Sequence, residues 1–177
     1  MIAQAVDTFG RIDFAANIAG VFPIAPILST TDEVWQDVID TNLKGTFALS
    51  RALGRQMLTQ DDGAIVNIAS GAATNPSRGL GAYAASKAGI IGFSRVLALE
   101  LAPSVRVNVV APGPTRTRGV DDGADADPAS QVVIEAIPLG RWAEPDDIAG
   151  VIAFLATPEA GYLTGQVIHV NGGRFMP

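Results

Sequence analysis

The stretch "IDFAANIAG", residues 12–20, is an apolar run broken only by Asp13 and Asn17 and closed by glycine. Such a run fits a strand buried on both faces, as in a parallel sheet covered by helices. Three further segments read as strands: "GAIVNIAS" (63–70), "VRVNVVA" (105–111) and "GQVIHVNGG" (165–173). Helical patterns separate them. Residues 1–8 look like the end of an amphipathic helix stopped by "FGR". In "STTDEVWQDVIDTNLKGTFALSRALGRQML" (29–58), Val34, Val38, Ile39, Leu43, Phe47, Leu53 and Met57 recur at helical spacing, and Thr30 with Glu33 resembles a capping box. A further helix runs from about Ala82 to Leu101, and "EPDDIAGVIAFLA" (144–156) carries proline and acids where a helix starts. The acidic, small-residue stretch "GVDDGADADPAS" (119–130) reads as a mobile loop. Strands alternating with helices predict an α/β fold: a Rossmann-like parallel sheet with flanking helices.

The bulk numbers narrow the function classes. A chain of 177 residues, 48% of them apolar, can bury one core. A net charge of −6 without a Lys/Arg cluster argues against a nucleic-acid partner. Cysteine is absent, which excludes disulfides and thiolate metal sites. No apolar stretch reaches the roughly 20 residues a helix needs to cross a bilayer. The expectation is therefore an acidic cytoplasmic domain with no membrane partner.

"YAASKAGI" (83–90) sets one of the two tyrosines and one of the two lysines four residues apart in the predicted third helix. Positions i and i+4 share a face, so Tyr83 and Lys87 are expected to point into one cleft. A free tyrosine titrates near pH ~10, but an adjacent ammonium and a helix N-terminus both favour the phenolate. The pair therefore reads as a proton-transfer device for an alcohol or carbonyl. The structural alternative is a tyrosine packed beneath the lysine stem. "GLGAYA" (79–84) satisfies a G-x-G-x-x-A dinucleotide pattern, but some eight residues separate it from the preceding strand, too many for the tight turn that motif requires. His169 has no acid or serine partner at useful spacing and is read as structural, so no metal site is expected. Arg116 and Arg118 are read as solvated.

With the Tyr-x-x-x-Lys pair, a serine thirteen residues earlier (Ser70), an asparagine in "DTNLKGTF" (Asn42), the "NVVAPGPTRT" segment and the closing "LTGQVIHVNGG", the chain resembles the short-chain dehydrogenase/reductase family. The motifs occur in family order over the whole chain. The resemblance implies NAD or NADP as cofactor and hydride transfer between nicotinamide and a secondary alcohol or ketone. It implies Tyr83 as general acid/base, and Lys87 lowering its pKa and bonding the nicotinamide ribose. Ser70 would orient the substrate oxygen, and Asn42 would hold a water that links Lys87 to solvent. Pro112, Gly113, Thr115 and Thr117 would line the nicotinamide end, with Asn17, Ala19 and Gly20 beside the nucleotide ribose. The implied partners are a small-molecule alcohol or carbonyl substrate and further copies of the chain in a homo-oligomer, dimer or tetramer, built on the two long helices and the last strand.

The chain also departs from the family pattern. Ile18 stands where the family has a second asparagine, and Asn171 where it has aspartate. The family's opening strand and T-G-x-x-x-G-x-G pyrophosphate turn are not found, so residues 1–177 are expected to be the C-terminal two-thirds or so of one Rossmann domain. Two consequences are expected: "IDFAANIA" at an exposed sheet edge, and weak dinucleotide binding by the isolated chain. A non-catalytic, oligomerising scaffold is the competing reading.

Overall fold

A computed structural model describes residues 1–117 and 128–176. Its elements in chain order are α1 (Ile2–Phe9), β1 (Phe14–Asn17), α2 (Asp32–Val38), a π-helical turn (Ile39–Lys44), α3 (Gly45–Gln60), β2 (Gly63–Ile68), α4 (Gly81–Leu101), β3 (Val105–Pro112), α5 (Pro128–Glu135), α6 (Pro145–Ala156) and β4 (Val167–Val170). The four strands form one parallel sheet in the order β1-β2-β3-β4. Its register pairs Phe14 with Ala64, Gly63 with Val105, and Val109 with Val167. The α/β expectation holds, and β1 is the edge strand, as the sequence indicated.

The apolar runs become strands because both sheet faces are covered. Every residue of β2 is buried, and its neighbours alternate between two cores. Ile65 joins Leu53, Met57, Leu97, Leu101 and Val107 beneath α3 and α4. Val66 and Ile68 join Val110, Ile148 and Leu155 beneath α6. This is the period-2 alternation of a strand between two helical layers. Arg106 on β3 fastens the second layer, donating to the carbonyl oxygens of Leu155 at 2.9 Å and Ala160 at 3.0 Å, where α6 ends.

The long helical stretch after residue 30 differs in detail from the expectation. The N-cap is Thr31, whose hydroxyl accepts from the Val34 amide at 3.3 Å, rather than Thr30. The Thr30 hydroxyl instead donates back to the Pro26 carbonyl. The helix is then interrupted by the π-helical turn at Ile39–Lys44, and this wider turn carries Asn42 into the interior with no exposed surface. The loop expected over 119–130 lies outside the described residues up to 127, and 128–130 open α5. Helix α6 starts on a capping box: the Glu144 side chain and the Asp147 side chain each accept from the other residue's backbone amide. Among the described residues no helix is long and apolar enough to cross a membrane.

Candidate active site at the carboxyl ends of the strands

In a parallel sheet the strands end on one side, and their loops converge there. Ser70 follows β2, Gly113 follows β3, residues 18–20 follow β1 and Asn171 follows β4. Helix α4 starts at the same edge and delivers Tyr83 and Lys87. Tyr83 and Ser70 border a cavity of about 490 Å³, together with Pro112, Gly113, Thr115 and Thr117. Ile18, Phe22, Ile148 and Ile152 give the cavity an apolar wall. The Phe22 ring meets Tyr83 edge-on, with ring centres 6.0 Å apart.

Lys87 is 3% exposed. Its ammonium donates to the Ile68 carbonyl at 2.7 Å and lies 5.6 Å from the centre of the Tyr83 ring. Burial brings its pKa down to about 8. Tyr83 moves the other way from the direction expected from the sequence. Burial raises its pKa, and hydrogen bonding with Ser70 only partly opposes that rise. The cause is burial of the phenol, and the Lys87 ammonium bonds the Ile68 carbonyl rather than the phenol oxygen. The Ser70 hydroxyl also accepts from the Ala72 amide at 3.1 Å, which holds it at the cavity edge.

Asn42 is fully engaged. Its Oδ1 accepts from the Val21 amide at 2.8 Å, and its Nδ2 donates to the Val21 carbonyl at 2.9 Å and to Ser86 Oγ at 3.1 Å. Ser86 donates in turn to the Tyr83 carbonyl at 2.7 Å. The first turn of α4, the π-helical turn and the chain after β1 are thus joined by one polar chain. Gly20 is part of the same closure. A Cβ there would stand 3.1 Å from Asn42 Oδ1 and 3.5 Å from Lys87 Nζ, so any side chain at this position would press on the Asn42 amide.

The nucleotide-side residues divide. Ala19, with Ile18 and Thr46, borders a separate groove of about 370 Å³ against the start of α3. Asn17 borders it too, but its amide faces inward, donating to Ser50 Oγ at 3.0 Å and Asn67 Oδ1 at 2.6 Å; Asn67 in turn donates to Ser94 Oγ at 2.9 Å. Its Oδ1 is buried without a hydrogen-bond partner among the described residues. Gly79 and Gly81 of "GLGAYA" have a packing explanation: Cβ atoms there would fall 2.9 Å from Ile24 and 2.7 Å from Ile27. Arg116 is not a free solvated arginine, since it pairs with Glu144 at 3.2 Å. Arg118 lies outside the described residues.

Sequence reasoning missed Asn67, Ser86 and Arg174. Asn67 had a signal, an amide inside an apolar strand that must find buried partners. Ser86 had none beyond lying between Tyr83 and Lys87. Arg174 joins the site only because the turn after β4 folds back beside Ser70 and Tyr83.

Of the residues expected from the motifs, Ser70, Tyr83, Pro112, Gly113, Thr115 and Thr117 therefore sit around one cavity, whereas Lys87 is buried and not among the residues that line it; two of its three protons are not committed to Ile68, a donor set that fits ribose hydroxyls. The family described as enoyl-(acyl carrier protein) reductase matches residues 1–174. The chain is 42% identical to the short-chain reductase protein NovJ of Streptomyces niveus, over 98% of this chain and 68% of the relative. It is 44% identical to the 3-oxoacyl-[acyl-carrier-protein] reductase FabG of Staphylococcus epidermidis (99% and 72%) and 40% identical to that of Vibrio cholerae (96% and 69%). With the parallel sheet and these matches together, the chain belongs to the short-chain dehydrogenase/reductase family of oxidoreductases, whose cofactor is NAD or NADP.

Proposed function

We propose that the chain forms the proton-transfer and nicotinamide-side half of a carbonyl reductase or alcohol dehydrogenase site, with Tyr83 as general acid/base. The observation that carries this reading is that Ser70 and Tyr83 border one cavity with Pro112, Gly113, Thr115 and Thr117. A bound NAD(P)H supplies the hydride. Tyr83, protonated at neutral pH, gives its phenolic proton to the substrate oxygen. In the reverse direction it takes the alcohol proton. Ser70 donates a hydrogen bond to the same oxygen and fixes its position. Lys87 would offer its remaining protons to the nicotinamide ribose hydroxyls of a bound cofactor, and Pro112, Gly113, Thr115 and Thr117 would hold its nicotinamide end. Asn17, Ala19 and Gly20 would hold the nucleotide ribose. Asn42 acts through Val21 and Ser86, holding the Tyr83 turn in place. The relatives named 3-oxoacyl-[acyl-carrier-protein] reductase act, by that name, on a ketone, in keeping with this reading.

Self-association through α3 and α4 is part of the proposal. It is supported by Phe47, Val96 and Leu99, large apolar side chains on those helices that remain exposed, Leu99 by 81%.

The test is turnover of a panel of ketones and secondary alcohols with NAD(H) and NADP(H), comparing the native chain with Tyr83→Phe. The expected result is a loss of at least about a hundredfold in kcat/KM with an unchanged melting temperature. Equal activity in the two proteins rejects the assignment of Tyr83. An inactive native chain that still self-associates favours the scaffold reading.

A further inference from the structure

Three arginines among the described residues are half-buried. Arg106 bonds two carbonyl oxygens and Arg116 pairs with Glu144. Arg174 has no side-chain hydrogen bond or ion pair among the described residues. It lines a second, smaller cavity of about 190 Å³ that shares Ser70 and Tyr83 with the larger one. No Asp or Glu lines this cavity, and Asn75, Ser77 and Asn171 supply its other side-chain polar groups.

The segment that carries Arg174 is held firmly. Asn171 Nδ2 donates to the Phe175 carbonyl at 2.8 Å, and its Oδ1 accepts from the Gly173 amide at 3.0 Å. Gly172 and Gly173 adopt left-handed backbone, with φ of 63° and 85°, and turn the chain back toward the cavity. The Phe175 ring packs edge-on against His169. At position 171 the chain carries asparagine where the family pattern has aspartate. A carboxylate there would line the same cavity as Arg174 and offset its charge, whereas the neutral amide leaves the cavity with a single positive group.

We propose that Arg174 binds the carboxylate of a small oxo acid whose reacting carbonyl lies between Ser70 and Tyr83. A half-buried guanidinium facing a cavity without acids is suited to a planar carboxylate, which it can grip through two parallel hydrogen bonds. The cavity is smaller than the roughly 300 Å³ at which drug-sized sites begin, which favours a short substrate. The proposal rests on the oxidoreductase reading for the placement of the carbonyl, but the carboxylate contact can be tested separately.

The experiment compares 3-oxobutanoate with its methyl ester, a pair that differs in the charge Arg174 would bind. With the full chain and NADH or NADPH, kcat/KM for the acid should exceed that for the ester by on the order of ten- to a hundredfold, the range of one charge-assisted contact. Arg174→Gln should collapse that ratio toward unity, Arg174→Lys should keep part of it, and Asn171→Asp should lower it. A ratio near one in the native chain, or a ratio that Arg174→Gln leaves unchanged, overturns the proposal. If neither compound turns over, the same pair is measured by saturation-transfer NMR. Acid-selective binding lost in Arg174→Gln then upholds the contact and counts only against the oxidoreductase reading. Absence of acid selectivity overturns the proposal in that case too.

Discussion

The ammonium of Lys87 lies 5.6 Å from the centre of the Tyr83 ring and donates to the Ile68 carbonyl, not to the phenol. One helical turn brings the two residues together, but the strand end decides where the charge goes. The Ile68 carbonyl belongs to the last residue of β2, so the lysine also fastens α4 to the sheet. The bond and the ring face offset part of the cost of burying a charge; the remainder appears as the pKa of about 8.

That remainder predicts a pH-dependent stability. The folded pKa of Lys87, about 8, is below its ordinary 10.5, so between these values the unfolded chain binds more protons than the folded one. Stability contributed by this site must therefore rise with pH across that window, and the burial cost is fully present below it. Tyr83, whose pKa is raised by burial, acts in the opposite sense above its ordinary 10.0, so the measurement belongs between pH 8 and 10. Urea unfolding at intervals across that range should show an upward slope that Lys87→Met removes. Identical slopes in the two proteins would reject the assignment.

Gly20→Ala should disrupt the site by crowding Asn42. The added methyl would stand 3.1 Å from Asn42 Oδ1. Asn42 cannot yield cheaply, because both ends of its amide are bonded to Val21 and it is also held by Ser86. Overpacking of this kind costs about 1–3 kcal/mol. The expected outcome is a melting temperature lower by several degrees, with activity falling as the first turn of α4, tied to Asn42 through Ser86, shifts. A variant as stable and active as the native chain would show that the loop relaxes freely.

Asn42→Ala removes three hydrogen bonds and leaves the amide and carbonyl of Val21 without their partners. Unpaired groups of this sort cost about 1–3 kcal/mol each, so a loss of roughly 2–4 kcal/mol is expected in urea unfolding. Ser86→Ala should cost less, since it removes one bond from Asn42 and one to Tyr83. A double variant less destabilised than the sum of the two singles would show that the two side chains act as one network. A loss below about 1 kcal/mol in Asn42→Ala would mean that water replaces the amide at no cost.

How far the sequence could be read follows from the kind of interaction involved. The strands were legible because burial on both faces leaves largely apolar runs such as Ala64–Ile68, broken only by Asn67, and Tyr83 with Lys87 was legible because one helical turn fixes their proximity. The π-helical turn at Ile39–Lys44 was not, because a widened turn comes from tertiary packing rather than residue type. The cap fell on Thr31 instead of Thr30 because two adjacent threonines can both cap, and Thr30 was taken by Pro26. The pairing of Arg116 with Glu144 spans 28 positions, a separation at which charge patterning carries no signal. The direction of the Tyr83 shift differs from expectation for a related reason: proximity of an ammonium is visible in sequence, whereas the burial that raises the phenol's pKa is not.

Gly113→Ala tests whether the cavity wall is as tight as its geometry implies. The Gly113 amide donates to the Val170 carbonyl at 2.9 Å, extending the β3–β4 pairing beyond the strands. A Cβ at 113 would stand 2.8 Å from both Cα and Cβ of Asn171, atoms fixed to the backbone of the turn that carries Arg174. Neither can swing aside as a side-chain tip would, so the ends of β3 and β4 must separate. Both cavities have Gly113 in their lining, and both should change shape. The expected cost is about 1–3 kcal/mol in stability, from overpacking against atoms that cannot rotate away. Catalytic efficiency should fall at least tenfold, because a displacement of about 1 Å at a positioning wall is sufficient for a loss of that order. Gly113→Ala retaining both native stability and native kcat/KM would mean that the two strand ends are free to part, and the preorganised wall assumed for Pro112, Gly113 and Thr115 would have to be given up.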